Sequence, residues 1–276
     1  RRFDLSRIVI EAGRLERQYW ADLWRFRELL FFLAWRDVAV RYKQTAIGVA
    51  WAVVRPVATM AVLVVVFGAV ARLPSGGVPY PLLVLTGMLA WQLFATGFSA
   101  ASESLVGNAN LISKVYFPRL LVPLSAVAVS LVDFLVTVPV LLGLMLWYGT
   151  EPTWRLALFP AFVLLAVLAS VAVGVWLAAL NVKYRDFRYA IPFVIQFGLY
   201  ISPVGFSLSA VPEAYRPWFL LNPAVGLIEG FRWSLLGQDG PLTLTAVGVT
   251  VAAVAAVLLT GLRYFRATER TFADVI

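Results

Sequence analysis

Few side chains in this chain are equipped for chemistry. Its 276 residues include no His and no Cys, which removes the usual general base, the commonest metal ligand and all thiolate chemistry. The sequence has no H-E-x-x-H run, no paired intramembrane carboxylate and no G-x-x-x-x-G-K-[ST] phosphate loop, so hydrolytic metal chemistry and Walker-type ATP binding lack their side chains. Three features remain. Asp133 is the one acid well inside an apolar run. It reads either as a proton relay or as a hydrogen-bond acceptor for a neighbouring helix end, and the lack of a second carboxylate favours the latter. Glu229, Arg232 and Trp233 stand at i, i+3 and i+4, on one helix face. Removing one member of such a buried pair costs ~3–5 kcal/mol, so the pair either holds a gate shut or satisfies two awkward charges. Third, residues 108–119 and 181–188 are short, basic and aromatic. Tyr116, Phe117, Tyr184 and Phe187 in these connections suit a protein contact surface or an interfacial aromatic belt.

The elements that carry these residues are apolar helices. Residues 73–102, 156–182, 189–212 and 240–262 contain no Asp, Glu, Lys or Arg, and a helix needs only ~20 apolar residues to cross ~30 Å of hydrocarbon. With 61% hydrophobic and 14% charged residues, the chain reads as an all-α membrane protein. Six spans are expected, near 48–70, 81–101, 120–148, 156–180, 191–209 and 242–262. Of the 23 Lys and Arg residues, only Arg72, Arg155, Arg216 and Arg232 fall on the far side of these spans. Positive charge on the inner side puts both termini in the cytoplasm, as an even span count also requires. The net charge of +8 is therefore topological, and no nucleic-acid partner is expected.

Before the first span, the apolar stretch 29–35 is too short to cross and is bracketed by charges. It predicts an amphipathic helix in the cytoplasmic interface that also offers a partner surface. Between the fifth and sixth spans, Pro212, Pro217, Pro223, Gly226 and Gly230 interrupt an apolar stretch, which predicts re-entrant half-helices lining a passage. Two stripes of small side chains spaced four residues apart, Ala166-Ser170-Gly174-Ala178 and Gly248-Ala252-Ala256, predict close helix packing. The expected divisions are a cytoplasmic N-terminal region at 1–46, a transmembrane domain at 47–266 and a tail at 267–276.

An ordered series of motifs resembles one family. It comprises R-Y-K-Q-T-A-I-G-V-A-W at 41–51, N-A-N-L-I-S-K-V-Y-F-P-R at 108–119 with Pro123-Leu124-Ser125, residues 181–186 with Pro192-Phe193, Gln196 and Ser202-Pro203, and Asn222-Pro223 with Glu229 and Phe231-Arg232. From about 29 to 266 the chain is similar to the membrane subunit of bacterial ABC exporters of O-antigen, teichoic acid and capsular polysaccharide. Ile47 and Arg55 depart from the family pattern, where Leu and a neutral polar residue are commoner.

The resemblance implies a homodimer of this chain in the bacterial inner membrane, paired with two copies of a separate ATPase. It implies no cofactor in this chain, with ATP and Mg held by the partner, and a lipid-linked polysaccharide as cargo. A permease for drugs or small lipids would share this architecture. Under the resemblance, Lys183, Tyr184, Arg185, Asp186 and Arg188 would dock the ATPase. Arg41, Lys43, Lys114 and Arg119 would attract the pyrophosphate of the carrier lipid. Trp91, Phe94 and Phe98, on one helix face, would line a pore with Tyr200, Phe206 and Trp218, unless these rings face lipid. Glu229 and Arg232 would form the gate.

Overall fold

The computed structural model describes residues 16–43, 48–184, 186–240 and 243–272, and every regular element among them is helical. Two helices open the chain, α1 (Glu16–Arg25) and α2 (Arg27–Lys43). The first long apolar helix, α3 (Gly48–Leu63), continues as a π-helix over Val64–Val70, with the N–H of Ala71 reaching back to the carbonyl of Val66 at 2.9 Å. Then come α4 (Tyr80–Gly107), the short α5 (Ala109–Lys114) and α6 (Leu121–Trp147). A 3-10 turn, Trp154–Leu158, leads into α7 (Phe159–Lys183), which is followed by α8 (Phe187–Ile201). After the four-residue α9 (Arg216–Phe219) come α10 (Ala224–Leu236) and α11 (Thr243–Thr268).

Among the described residues, five segments are long and apolar enough to cross a membrane: Ala50–Val70, Tyr80–Gly107, Leu121–Trp147, Trp154–Lys183 and Thr243–Thr271. The expected fifth span, 191–209, does not form one helix. It stops at Ile201 because Ser202 precedes Pro203 and is extended, with ψ at 148°, as the proline ring demands of its predecessor. At ~1.5 Å per residue, α8 is about 22 Å long.

The core gathers on α4, which packs against α3, α6, α7, α8 and α10. Leu82 to Leu85 and Ala90 are fully buried. In lipid there is little hydrophobic drive between helices, so close backbone approach carries the packing. The first small-residue stripe does this. The Ser170 hydroxyl donates to carbonyls of α4 at Leu93 and Phe94, each at 3.2 Å, and a Cβ on Gly174 would lie 2.5 Å from that of Ala101. The second stripe does not. Gly248, Ala252 and Ala256 face outward from α11, which buries Ala246, Thr250, Val254 and Gly261 instead. Gly226 of α10 permits the contact on this face: a Cβ there would meet Thr250 Oγ1 at 2.2 Å, while Gly261 lets α11 approach Trp176 of α7.

A second cluster forms where α4 ends, α6 begins and α7 and α11 end. Leu33, Leu105, Ile112, Phe117, Leu120, Val182, Phe265 and Phe272 are buried together there. Leu33 brings α2 into this cluster, while Phe31, Phe32 and Trp35 stay exposed on its other face. Lys114, Arg119, Lys183 and Arg188 lie in the connections at this end, called the basic end below. The expected transmembrane/tail division at 266 cuts through this cluster, since Phe265 and Phe272 stack edge-on at 5.3 Å.

Candidate functional site

At the basic end the expected entrance cations are separated. Arg119 is committed to the residues after α11: its backbone N–H donates to Glu269 Oε1 at 2.8 Å, and its guanidinium donates to the Glu269 carbonyl. The Tyr19 ring lies below the Arg266 guanidinium at 4.8 Å. Burial, reinforced by the Glu269 charge beside it, raises the Tyr19 phenol far above its usual pKa. Thus α1, the 115–119 turn and the end of α11 form one clasp. A second tie comes from Arg36, which donates to Asn108 Oδ1 at 2.8 Å and pairs with Asp37 at 2.7 Å. It holds α2 to the α4–α5 corner. Lys114 is exposed.

Arg41 meets a different partner. Its guanidinium lies 2.6 Å from Asp133 Oδ2, and the Tyr42 hydroxyl donates to Oδ1 of the same carboxylate. Burial, with the Asp133 carboxylate adding to it, pushes the Tyr42 phenol up to about 12, so it remains a donor at physiological pH. Asp133 is therefore a structural acceptor for a neighbouring helix end. Nearby, the Thr137 hydroxyl lies 3.4 Å from the Ala52 carbonyl of α3. One stretch of α6 thus fixes the end of α2 and the start of α3. Residues 44–47, part of the first motif, lie outside the described residues, as does Arg185.

In the 181–188 connection, Asn181 is buried and donates to the Ser102 carbonyl at 3.1 Å. Tyr184, Asp186, Arg188 and Lys183 are exposed, with the Lys183 ammonium over the Tyr184 ring at 5.2 Å. The four loop aromatics, read above as one contact surface or belt, do not all face water. Tyr116 and Tyr184 do, but Phe117 is buried and Phe187 packs on the main core.

At the opposite end Arg232 is 2% exposed and Glu229 5%, 3.5 Å apart. Arg232 also donates to the carbonyls of Leu83 at 3.2 Å, Val204 at 3.0 Å and Phe206 at 3.0 Å. Tyr80 donates to the carbonyl between the last two, Gly205, at 2.8 Å. A buried guanidinium is tolerated when its donors are satisfied, and here it pins α10 and the turn after α8 to the first turn of α4. A Cβ on Gly87 would come within 2.9 Å of Arg232, so glycine is what lets the guanidinium in.

The six expected pore rings divide into two groups. Trp91, Phe94 and Phe98 are buried inside the subunit, edge-on or tilted to one another at 5.9 and 5.1 Å. Gly198 of α8 leaves room for Trp91. These three present no open face within the chain. Tyr200 and Trp218 are exposed, and Phe206 is half-buried between Phe67 and Phe219.

Residues 28–236 match the family described as ABC-2 type transporter. The chain belongs to that family. An ABC-2 permease is a transport subunit and not an enzyme, in keeping with the missing acid–base and nucleotide motifs. The permease is 31% identical over 215 residues to the O-antigen export system permease protein RfbA of Myxococcus xanthus, covering 76% of this chain and 81% of that one. It is 26% identical over 251 residues to the Klebsiella pneumoniae protein of the same name, covering 90% and 95%. It is 24% identical over 207 residues to the polysialic acid transport protein KpsM of Escherichia coli, covering 73% and 78%.

The sequence reading missed the partners of its own site residues in this permease. Glu269 had one signal, a carboxylate set among Arg263, Arg266 and Arg270. Tyr80, and the Arg155–Asp239 pair at 2.9 Å, had none, because nothing local announces a contact across 84 or more positions.

Proposed function

We propose that this chain is the transmembrane subunit of an ATP-driven exporter of polyprenyl-pyrophosphate-linked polysaccharide in the bacterial inner membrane. One observation carries the reading: family membership, together with relatives named for O-antigen export that align over nearly the whole chain. The relative named for polysialic acid transport points to the same class of cargo.

On this reading α8 is the sixth crossing. Its ~22 Å is extended by the buried 202–205 turn, which side chains on α4 and α10 satisfy. Both termini are cytoplasmic, and the basic end faces the cytoplasm. The segment from α9 to α10 dips in and returns. Pro223 accepts from Thr250, well inside α11, at 2.7 Å, whereas Gln238 reaches the loop before α4. Interrupted backbone at that depth survives because protein covers it.

Two copies of the chain pair with two ATPase subunits. The outward apolar faces of α3 and α8, including Trp51, Val62, Phe193 and Phe197, suit the contact between copies. Exposed Lys183, Tyr184, Asp186 and Arg188, with Arg185 between them, form the docking loop. Lys114, Arg41 and Lys43 attract the carrier pyrophosphate, while Arg119 stabilises the turn that presents Lys114. ATP and Mg belong to the partner. Depleting the protein in its host tests the reading. Polymer accumulating on its lipid carrier inside the cell supports it, and normal surface polymer contradicts it.

A further inference from the structure

At the end of the bundle opposite the basic loops, three segments enclose a cavity of about 400 Å³. Residues 76–78 form one wall, Ser207 and Ser209 a second, and residues 236–240 a third, with the buried Glu229 in the lining. The walls are tied to one another. Gln238 Nε2 donates to the Ser75 carbonyl at 2.7 Å. Arg155 donates to the Gly237 carbonyl at 3.0 Å, grips Asp239 through two bonds at 2.9 and 3.1 Å, and lies over the Trp233 ring at 5.0 Å. Arg232 holds the Phe206 carbonyl. Gly76, Gly77 and Gly237 adopt φ of 67°, 84° and 66°, a region open to glycine at little cost. A Cβ on Gly240 would come within 2.1 Å of Glu229 Oε2, so the third wall passes that carboxylate as bare backbone. These ties preorganise the cavity rather than leave it as slack between loops.

The lining selects a ligand class. Small-molecule sites occupy roughly 300–1,000 Å³, and this one is within that range. Among the described residues that line it, the apolar side chains are Val78 and Leu236 alone, and none is Lys, Arg or aromatic. Glu229 and Asp239 already hold Arg232 and Arg155, so the described lining offers a phosphate or carboxylate no uncommitted cation, and a flat aromatic would find no apolar slot. A polyol fits, because each hydroxyl both donates and accepts. Carboxylates and backbone carbonyls take its protons, and the Ser207 and Ser209 hydroxyls can donate in return.

We propose that this cavity binds an uncharged sugar residue of the exported polymer. The proposal rests on the polysaccharide-export reading and adds a subsite to it at the outer end. A residue held there resists backward slippage between power strokes.

The test uses the full chain purified with its ATPase in detergent micelles. Neutral oligosaccharides, released by mild acid from the host's own surface polysaccharide and end-labelled, are equilibrated against it by dialysis. Ser209→Trp fills the cavity from its exposed rim, and Ser209→Ala removes one hydroxyl without adding bulk. Expected are saturable binding to the unaltered protein, about tenfold weaker binding in Ser209→Trp, a smaller loss in Ser209→Ala, and no competition by inorganic phosphate. Absence of binding to the unaltered protein, or equal binding by Ser209→Trp, overturns the proposal. A host lacking this chain separates the two claims. If it still displays its polysaccharide, the export reading fails. If display is lost while the protein ignores the oligosaccharides, the cavity proposal alone fails.

Discussion

The backbone N–H of Arg119 donates to the Glu269 carboxylate at 2.8 Å, joining positions 150 residues apart. The turn before α6 is thereby fixed to the segment that follows α11. Arg119 is tied into this clasp, and Lys114, five residues earlier, is exposed.

Glu269→Ala removes the acceptor and leaves a half-buried N–H without its partner, which costs about 1–3 kcal/mol. Its thermal unfolding midpoint in detergent should fall by several degrees, while that of Lys114→Ala should not move. Export should fall in both. A stable Glu269→Ala protein would mean the clasp contributes nothing.

The Arg41–Asp133 contact predicts coupling between α2 and α6. Residues in one ion-pair network show interaction energies of about 0.5–3 kcal/mol in double-mutant cycles. Arg41→Ala and Asp133→Ala should therefore be less than additive in stability, and Tyr42→Phe should weaken the remaining contact. Full additivity would remove Asp133 from the role of structural acceptor.

Helix packing gives a contrast between two glycines on similar stripes. Gly174→Leu drives a side chain into Ala101, whereas an added Cβ at Gly248 meets nothing within 4 Å. The first variant should fail to fold or lose its cooperative transition. The second should express and melt like the parent subunit.

That contrast shows what the sequence could and could not reveal. Five of the six expected spans were legible because long apolar runs with at most one interior charge register burial in lipid directly. The fifth run, 191–209, was equally uncharged, yet Pro203 ended its helix at Ile201. Small-residue spacing was equally clear at Gly174 and Gly248, and only the placement of α7 and α10 selected which face of α11 was buried. Candidate site residues were recognisable by type, but their partners were not. Asp133 was conspicuous, while Tyr42 and Arg41 became its partners only once α2 had docked. The three rings on α4 satisfied a helical face pattern that fits a pore and a core equally, and the core is where they lie.

Arg232 predicts an asymmetric pair. Arg232→Met strands three backbone carbonyls and one carboxylate and should cost about 3–5 kcal/mol. Glu229→Gln leaves the carbonyl contacts in place and should cost less. The order of the two melting midpoints in detergent checks this, and the reverse order would assign the anchoring role to Glu229.

The central claim is that this polypeptide is a conduit without its own power source. Proteoliposomes holding the chain alone, and the chain with its ATPase, can be loaded with lipid-linked polysaccharide and given ATP on the side of the basic loops. Glycan crossing to the far face only when both subunits and ATP are present is the predicted result. Crossing driven by the chain alone, or by an ion gradient without ATP, would contradict it.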